Sequence, residues 1–506
     1  MKLLSPSQAR ELDHKSMGEL GISGAELMGN AGNCIAKKAM KMVSKIHNPI
    51  IFILCGKGNN GGDGFAAAIT LSQKKYKVII QSTSDKAEIK GDSLNYYLKC
   101  VDENIFIIHS DETPEIETPD LLIDSLFGTG LNGEVWLKFQ SLIQWVNQLD
   151  TMVLAVDIPS GLDGNSGLPN PVAVKATTTV SFGGLKLGSV FRQGANCSGE
   201  ACVSDIGFPA IQLSGLNWKT VKESFIKKTL LKPALDTHKY SSGKVIIIAG
   251  SMGMTGAAIL ATYGALRSGA GVTITTSPSS INEILEKSIL EGMTLILKSE
   301  EGIITPDHEK AILEKAKWAD AVVLGPGLGR DPKTQVFIKN CVKYIESPVV
   351  LDADGLFPFE NNLDSLNDRR FPLVITPHLG ELSHISSIGK ETIIREFPDV
   401  MTEIMNQFSH VALVKQVPTC TFSSKNAFVN SSGNPGLATA GSGDVLSGMI
   451  ASFIAQGNSL ETASILGAYI HGRASDNLIT HKGYRGQVAS DLLGEIPAVI
   501  AQYETT

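Results

Sequence analysis

Short apolar runs alternate with amphipathic segments through most of the chain, and this alternation predicts the secondary structure. In the first half, two amphipathic segments within residues 5–46 predict helices that precede the first strand. The apolar runs that follow are continuous, as in strands buried on both faces of a parallel sheet. These predicted strands are 49–55, 77–81, 104–109, 119–128, 152–156 and a further one within 174–189.

The second half shows the same alternation of predicted strands and helices, after an interruption. Between residues 215 and 238 the strand pattern lapses into a basic stretch with a proline, so we place a domain boundary near Lys222. A glycine- and alanine-rich helix is predicted at 255–268. The predicted strands are 245–251, 272–277, 293–297, 321–327, 348–354, 373–378 and 411–415. The fold class is therefore α/β, with two doubly wound α/β/α domains at 1–221 and 222–506.

Composition narrows the functional classes. A chain of 506 residues with 43% hydrophobic residues and 50 glycines fits two glycine-turned α/β domains. The net charge of −7 gives no electrostatic reason to expect nucleic acid. Charges interrupt the N-terminal stretch, so no secretory or membrane segment is predicted and a cytoplasmic protein is expected. The seven scattered cysteines contain no CxxC pair, which argues against a disulfide framework or a zinc site.

The stretch 433–457 carries the clearest chemical signal. Gly441, Ser442 and Gly443 can turn their backbone N–H groups toward one point, and an apolar helix follows. The positive end of that helix then points at the same place, which favours a bound anion. Asp444 beside this turn is placed to take a proton from a hydroxyl that attacks a phosphoryl group. The alternative is that Asp444 only caps the helix.

Polar residues also follow three strands of the first half. Asn59, Asn60 and Asp63 lie in a glycine-rich turn, and Asp124 and Asp157 end later strands. In a parallel sheet such ends gather along one rim, where ligands bind. The alternative is that each is an ordinary turn residue.

Glycines and polar residues at other strand ends extend both sites. Lys175 and Lys186 could meet nucleotide phosphates, although we favour solvated surface charge for both. In the second half, Gly327 and His378 should line the crevice that Asp444 faces.

Several motifs in order resemble known families. AGSGDVLSG, with NPGLAT before it, resembles the phosphate site of ribokinase-like kinases, and more narrowly of their NAD(P)H-hydrate dehydratase branch. GKVIIIAGS, LGPGLGR, VLDADGL and TPHLGE agree with this. In the first half, GKGNNGGDG, DSLFGTGLNGE and DIPSGLDG resemble the NAD(P)H-hydrate epimerase family. The resemblance implies a Rossmann-like first domain and a ribokinase-like second domain.

The resemblance also implies residue roles. Asp157 and Asp444 are the expected catalytic carboxylates, and K⁺ is expected at Asn60, Asp124 and Ser160, whose oxygen atoms suit such a cation. The implied substrate contacts are Asn59, Asn60, Gly61, Gly62, Asp63, Gly128, Thr129, Gly130, Leu131, Asn132, Gly133, Glu134, Asp157, Gly327, His378 and Asp444. The implied ADP contacts are Lys415, Gln416, Val417, Pro418, Thr419 and Gly443. There are two departures. The epimerase family usually has an acidic residue in place of Gly29, and the dehydratase family often has a glycine after the residue that matches Lys415.

The implied activity is repair of hydrated NADH and NADPH. Loss of hydroxide from the reduced ring is unfavourable, whereas its phosphate ester can eliminate with help from the ring nitrogen. A kinase-like site with Mg²⁺ and ADP, or ATP, would supply the phosphoryl group. A stereospecific dehydratase uses only one of the two hydrates, so an epimerase that interconverts the R and S hydrates would supply it with the other. The expected partners are these small molecules, and a homo-oligomer is expected.

Two alternatives stay open at this stage. One is a vitamin or sugar kinase of the same fold, which the GSGD turn alone does not exclude but in which the first-half motifs would have no role. The other is a nucleotide-sensing or partner-binding module in the first half, without catalysis.

Overall fold

The computed structural model describes residues 1–130, 135–230, 232–299 and 301–504. The chain divides into two compact units, Met1–Gly215 with Arg395–Pro398, and Leu216–Ile394 with Asp399–Thr506. The division after Gly215 precedes the boundary predicted near Lys222. The reason is a short strand, Asn217–Thr220, which belongs to the second sheet and which the surrounding basic residues concealed.

The first unit alternates strands and helices. Its strands are β1 (Leu3–Leu4), β2 (Ile50–Cys55), β3 (Lys77–Ser82), β4 (Phe106–His109), β5 (Leu121–Ser125), β6 (Met152–Val156), β7 (Thr178–Phe182), β8 (Leu185–Lys186) and β9 (Glu200–Ser204). Its helices are α1 (Pro6–Gly18), α2 (Gly24–Met42), α3 (Asn59–Gln73), α4 (Gly91–Asp102), α5 (Leu137–Gln148) and α6 (Gly194–Ser198). Single 3₁₀ turns lie at Lys86–Glu88 and Leu187–Ser189.

Seven parallel strands form its sheet in the order β4-β3-β2-β5-β6-β7-β9, and β1 pairs with β8 in a separate two-stranded sheet. Side chains of β2 alternate between two cores. Ile51 and Ile53 pack with α2, α3 and α4, whereas Phe52 and Leu54 pack with α5. The strand order reverses between β2 and β5, so a crevice forms at the carboxyl ends of these strands.

The second unit is larger. Its strands are β10 (Asn217–Thr220), β11 (Lys244–Ile248), β12 (Val272–Pro278), β13 (Met293–Leu297), β14 (Ala321–Leu324), β15 (Val349–Leu351), β16 (Leu373–Ile375), β17 (Val411–Val414), β18 (Cys420–Ser423) and β19 (Asn426–Val429). Its helices are α7 (Glu223–Thr229), α8 (Thr255–Arg267), α9 (Ser279–Ser288), α10 (Glu309–Ala316), α11 (Pro332–Tyr344), α12 (Leu379–Ser386), α13 (Lys390–Arg395), α14 (Phe397–Gln407), α15 (Ser442–Ala455), α16 (Leu460–Lys482) and α17 (Ala489–Tyr503). Its 3₁₀ turns are Pro306–His308, Ala353–Gly355, Phe357–Phe359, Leu363–Asp368 and Pro435–Leu437.

Within the described residues, its ten strands run in the order β10-β19-β18-β17-β16-β15-β14-β11-β12-β13, and only the pairs made by β18 are antiparallel. One face of the sheet packs against α8, α15, α16 and α17. Two glycines bring α8 and α15 into backbone contact. A Cβ atom on Gly264 would lie 2.3 Å from the Val445 carbonyl oxygen, and one on Gly448 would lie 2.0 Å from that of Ala261. This packing fixes where α15 begins.

The α/β class and the predicted parallel strands are confirmed. Strands β9, β10, β18 and β19 were not predicted, because they are short, carry polar residues and lie toward the edges of the two sheets. Among the residues that the structure describes, no helix has both the length and the apolar character needed to cross a membrane. All seven cysteines lie in the described part of the chain and are free thiols.

Two candidate active sites

A cavity of about 780 Å³ opens at the carboxyl ends of the strands in the first unit. This volume falls within the range of small-molecule sites. Six of the predicted residues besides Asp157 line the cavity: Asn59, Asn60, Asp63, Gly128, Thr129 and Gly130. Leu131, Asn132, Gly133 and Glu134 lie outside the described residues.

Glycines shape the turn between β2 and α3. A Cβ atom on Gly56 would lie 2.0 Å from the Leu126 carbonyl oxygen, and one on Gly61 would lie 1.8 Å from that of Gly56. Only glycine permits such contacts. Gly56 and Gly61 therefore allow α3 to start against the ends of β2 and β5, which brings Asn60 and Asp63 to the cavity. Gly62 instead lets α3 approach α2, since a Cβ atom there would lie 2.6 Å from the Met28 side chain.

The three predicted cation ligands include one directly bonded pair. Asp124 is fully buried, and it accepts hydrogen bonds from the Ser160 backbone N–H at 2.8 Å and from Ser160 Oγ at 2.6 Å. Burial raises the pKa of Asp124 to about 6, against the opposing effect of the Ser160 hydrogen bonds. Asn60 is also buried, and its Nδ2 atom has no hydrogen-bond partner in the described structure.

Asp157 forms an ion pair that the sequence did not predict. It ends β6 with a positive φ of 67°, and its carboxylate is paired with Lys186. Lys186 is only 2% exposed and also donates to the carbonyl oxygens of Phe182 at 3.0 Å and Gly184 at 3.4 Å. Solvated surface charge, the favoured interpretation, is therefore wrong for Lys186, although Lys175 is exposed.

Two further carboxyls face this ion pair. Asp63 on α3 and Asp13 on α1 both line the cavity. Burial raises the pKa of Asp63 well above its usual range, and Asp157 and Asp13 add to the effect while Lys186 opposes it. Burial likewise raises the pKa of Asp13 to about 6. Sequence reasoning missed Asp13, because an aspartate on an amphipathic helix is typical of a solvated face.

Gly29, which departs from the families' usual acidic residue, lies in a packed position. A Cβ atom there would lie 2.5 Å from the Tyr96 hydroxyl oxygen, which donates to the Ala25 carbonyl oxygen at 2.9 Å. Tyr96 occupies the space of the missing side chain.

In the second unit, the turn before α15 has the predicted form. Gly441 is the N-cap residue with φ 87°, and no side chain caps this helix in the described structure. Asp444 lies three positions beyond the cap and makes no capping bond, so the N-cap alternative for Asp444 is wrong. The Ser442 N–H donates to the Thr439 carbonyl oxygen at 3.4 Å, so the N–H groups of Gly443 and Asp444 are left for a ligand.

An ion pair lies beside this turn. Asp352, which follows β15, is 1% exposed and accepts from Lys415 Nζ at 2.7 Å. A Cβ atom on Gly443 would lie 3.3 Å from the same Nζ atom, so Gly443 leaves room for the ammonium group. Burial lowers the pKa of Lys415, but Asp352 and Glu381 outweigh it and the net pKa is raised.

The surroundings of Asp444 change the pKa of its carboxyl group. Burial raises its pKa to about 7, and Asp352, Asp354 and Glu381 add to the effect while Lys415 opposes it. A carboxyl that titrates near neutrality is suited to proton transfer.

His378 and Gly327 hold loops beside this carboxyl. His378 caps α12, and its Nδ1 atom accepts from Gly380 N at 2.9 Å and Glu381 N at 3.1 Å. Its backbone pairs with Lys415 in a parallel bridge, which places both residues at the same edge. Gly327 adopts φ 63° in the loop after β14, and Asp354 accepts from Gly329 N in that loop at 3.0 Å.

The segment 415–419 joins β17 to the antiparallel β18. Lys415 at its start points toward Gly443, whereas the Val417 side chain is exposed. The assignment of this segment to ADP stays a prediction. Asp352, Asp354 and Glu381 were not predicted as site residues, although the first two end a predicted strand in VLDADGL and could have been found by that signal.

Fold and sites together define a two-domain α/β enzyme with one polar crevice in each unit. A family model described as NAD(P)H-hydrate dehydratase matches residues 245–498, and one described as YjeF-related protein N-terminus matches residues 24–188. The chain belongs to the family of bifunctional NAD(P)H-hydrate repair enzymes.

Individual relatives agree with the family models. A protein of Moorella thermoacetica named bifunctional NAD(P)H-hydrate repair enzyme Nnr is 32% identical over 516 residues, covering 100% of this chain and 97% of the relative. A protein of the same name from Coxiella burnetii is 34% identical over 502 residues, covering 97% and 98%. A solved structure of a ribokinase-like superfamily protein from Enterococcus faecalis has a TM-score of 0.50 at 24% identity, covering 59% of this chain and 100% of that one. This last similarity shows a ribokinase-like fold for the second unit.

Proposed function

We propose that the chain repairs hydrated NADH and NADPH with one activity in each unit. The first unit interconverts the R and S hydrates. The second unit phosphorylates the ring hydroxyl of the S hydrate from ADP or ATP, and phosphate then leaves to restore the dihydronicotinamide. The expected partners are these small molecules and further copies of the chain, in the cytoplasm.

The observation that carries the dehydratase assignment is Asp444 beside the uncapped start of α15. Its pKa of about 7 lets it accept a proton from the substrate hydroxyl near neutral pH. The free N–H groups of the α15 turn can hold the transferring phosphoryl group, and the Lys415 ammonium adds positive charge beside Gly443. These groups act together on an oxygen that attacks phosphorus.

The acidic residues of the second site fit Mg²⁺ held jointly with a nucleotide. The described residues contain no group of three or more His, Cys, Asp or Glu side chains able to hold a metal ion. Mg²⁺ in phosphoryl-transfer sites usually binds through one or two carboxylates together with substrate phosphates. Asp352 and Asp354 would supply those carboxylates, and the ion would neutralise charge on the phosphates.

The first site fits a monovalent cation. Asp124 is fully buried without an ion-pair partner among the described residues, and a buried carboxylate is costly unless it is compensated. Its oxygens, with Ser160 Oγ and the Asn60 carbonyl oxygens, form a hard-ligand set. K⁺ there would supply the missing positive charge and fix the turn at Asn60.

The test uses purified protein and a mixture of hydrated NADH epimers. We expect the absorbance of the reduced ring to return only when ADP or ATP is added. We also expect both epimers to be consumed, because the first unit feeds the second. Absence of any nucleotide-dependent return would refute the dehydratase proposal. Consumption of only one epimer would refute the epimerase proposal while leaving the dehydratase intact.

A further inference from the structure

Four ionisable side chains come together at the cavity of the first unit. Asp13, Asp63, Asp157 and Lys186 line it from three different parts of the chain: α1, α3 and the β6–β8 region. Three carboxyls face a single ammonium group, so the cluster is anionic unless two of the carboxyls are protonated.

Lys186 is not available to a ligand. An ammonium group has three donors. Lys186 uses them on the Asp157 carboxylate and on the carbonyl oxygens of Phe182 and Gly184. Asp157 is held by this pairing and by the Phe182 N–H at 3.3 Å. The pair is thus a fixed feature of the cavity wall.

Asp63 and Asp13 differ from that pair. Neither carboxyl makes a hydrogen bond or an ion pair with protein within the described structure. Asp13 lines the cavity as the more solvent-accessible of the two residues, whereas Asp63 is more enclosed and follows the Asn59–Asn60 turn. Burial, together with Asp157 and Asp13, raises the pKa of Asp63 well above its usual range and so favours its protonated form. Asp63 is therefore an enclosed carboxyl group without a protein partner among the described residues, and it lines the cavity.

We propose that Asp63 is the general acid of the first unit, protonating the ring hydroxyl of the hydrated nicotinamide so that it leaves as water. This proposal rests on the epimerase function proposed above. The Asp63 O–H bond breaks and its proton goes to the hydroxyl oxygen. The carbon–oxygen bond then breaks, and the lone pair of the neighbouring ring nitrogen forms a planar iminium carbon.

The reverse step completes the inversion. A water molecule adds to the opposite face of the planar carbon, and its surplus proton passes through solvent in the cavity to the Asp63 carboxylate. Atoms and electrons balance without an oxidant or reductant. The positive charge on the ring is opposed by Asp13 and by the carboxylate that Asp63 has just become, so the anionic cluster stabilises the cationic intermediate.

The first experiment uses the unaltered full-length protein without added nucleotide, so that dehydration is off. Each epimer of hydrated NADH is incubated in ¹⁸O-labelled water, and the two epimers are separated and weighed by mass spectrometry. We expect each molecule that changes configuration to gain one solvent oxygen. Inversion with retention of the original oxygen would overturn the carbon–oxygen cleavage. No inversion at all would refute the epimerase function itself, which is a separate failure.

The second experiment identifies the acid. Asp63→Asn should lower kcat for epimerisation by about a hundredfold or more while KM changes by less than about threefold, as for loss of a general acid. Asp13→Asn should lower kcat by a smaller factor, because Asp13 contributes only negative charge to the site. Asp102→Asn, an exposed residue at the end of α4 away from the cavity, is the matched control.

Asp63→Glu guards against a merely structural effect, since it keeps the acid and should recover activity above that of the Asn variant. Normal kcat in Asp63→Asn, or equal loss in the Glu and Asn variants, would overturn the assignment.

Discussion

Replacement of Asp444 by asparagine separates catalysis from stability in the second unit. The change keeps the size of the side chain and removes the proposed base, so nucleotide-dependent dehydration should fall by about a hundredfold or more. Binding of the phosphoryl donor should survive, because the start of α15 consists of backbone N–H groups that the change does not touch. Epimerisation should be unaltered, since its residues lie in the other unit.

The same substitution should stabilise the second unit above neutral pH. The folded Asp444 carboxyl has a pKa of about 7 against an ordinary value of 3.8. Between these values the folded state holds a proton that the unfolded state has lost, so the stability contributed by this group falls as pH rises. The full difference between the folded and the ordinary pKa corresponds to about 4 kcal/mol of unfolding free energy, at about 1.4 kcal/mol for each pKa unit. Because Asp444 is partly open to solvent, we expect the Asn variant to be more stable than the parent by about 2 kcal/mol above neutral pH.

Hydrogen exchange of α15 amides at about pH 5 and about pH 8 measures this effect locally. The Asn variant should be more protected than the parent at the higher pH, and the difference should shrink at the lower pH. Asp111→Asn is the control, because ion pairing with Lys138 lowers the pKa of that exposed carboxyl and the change should not affect α15. Equal protection at both pH values would refute the raised pKa. Parental dehydration by the variant would refute the role as base.

Other substitutions test the remaining parts of both sites. Asp124→Asn should weaken epimerisation and abolish its dependence on K⁺, measured by titration with KCl at constant ionic strength; an unchanged K⁺ response would contradict the cation site. Lys415→Met should abolish dehydration and lower the unfolding free energy by about 3 to 5 kcal/mol, because Asp352 is left buried without its partner; parental melting behaviour would show that the pair is not needed. Gly443→Ala should raise KM for ADP by about tenfold, since the new methyl group would lie 3.3 Å from Lys415 Nζ; an unchanged KM would place the donor elsewhere. A fragment of residues 216–506 should dehydrate the S hydrate alone, and a soluble but inactive fragment would contradict two independent sites.

Much of the fold could be predicted from sequence because buried parallel strands have a strong signature. Continuous apolar runs such as 50–55 and 245–248 are typical of strands covered on both faces, and the structure places both as central strands. The polar residue directly after such a run lies at the rim where ligands bind, and this identified Asp124 and Asp157. A short edge strand such as Asn217–Thr220 lacks the signature, because a strand with one neighbour needs fewer apolar residues.

Partners of the site residues could not be predicted, since they depend on distant contacts. Asp352 lies 63 residues before Lys415, and Asp157 lies 29 residues before Lys186. No local pattern encodes either pair. Lys186 was therefore interpreted as surface charge. Lys415 was interpreted only as a contact of ADP, without its partner Asp352 and without its place beside Gly443.

The two paired lysines show why burial alone does not assign a role. Lys186 directs its donors at protein acceptors at the end of β7, in the β7–β8 turn and directly after β6, so it holds Asp157 and has no donor left for a ligand. Lys415 has one close partner, Asp352, and its next carboxylate, Glu381, is 3.8 Å away. It therefore keeps donor capacity toward the start of α15, where an anion would lie. Counting the satisfied donors separates a lysine that supports a carboxylate from one that can also bind a phosphoryl group, and this count requires the folded structure.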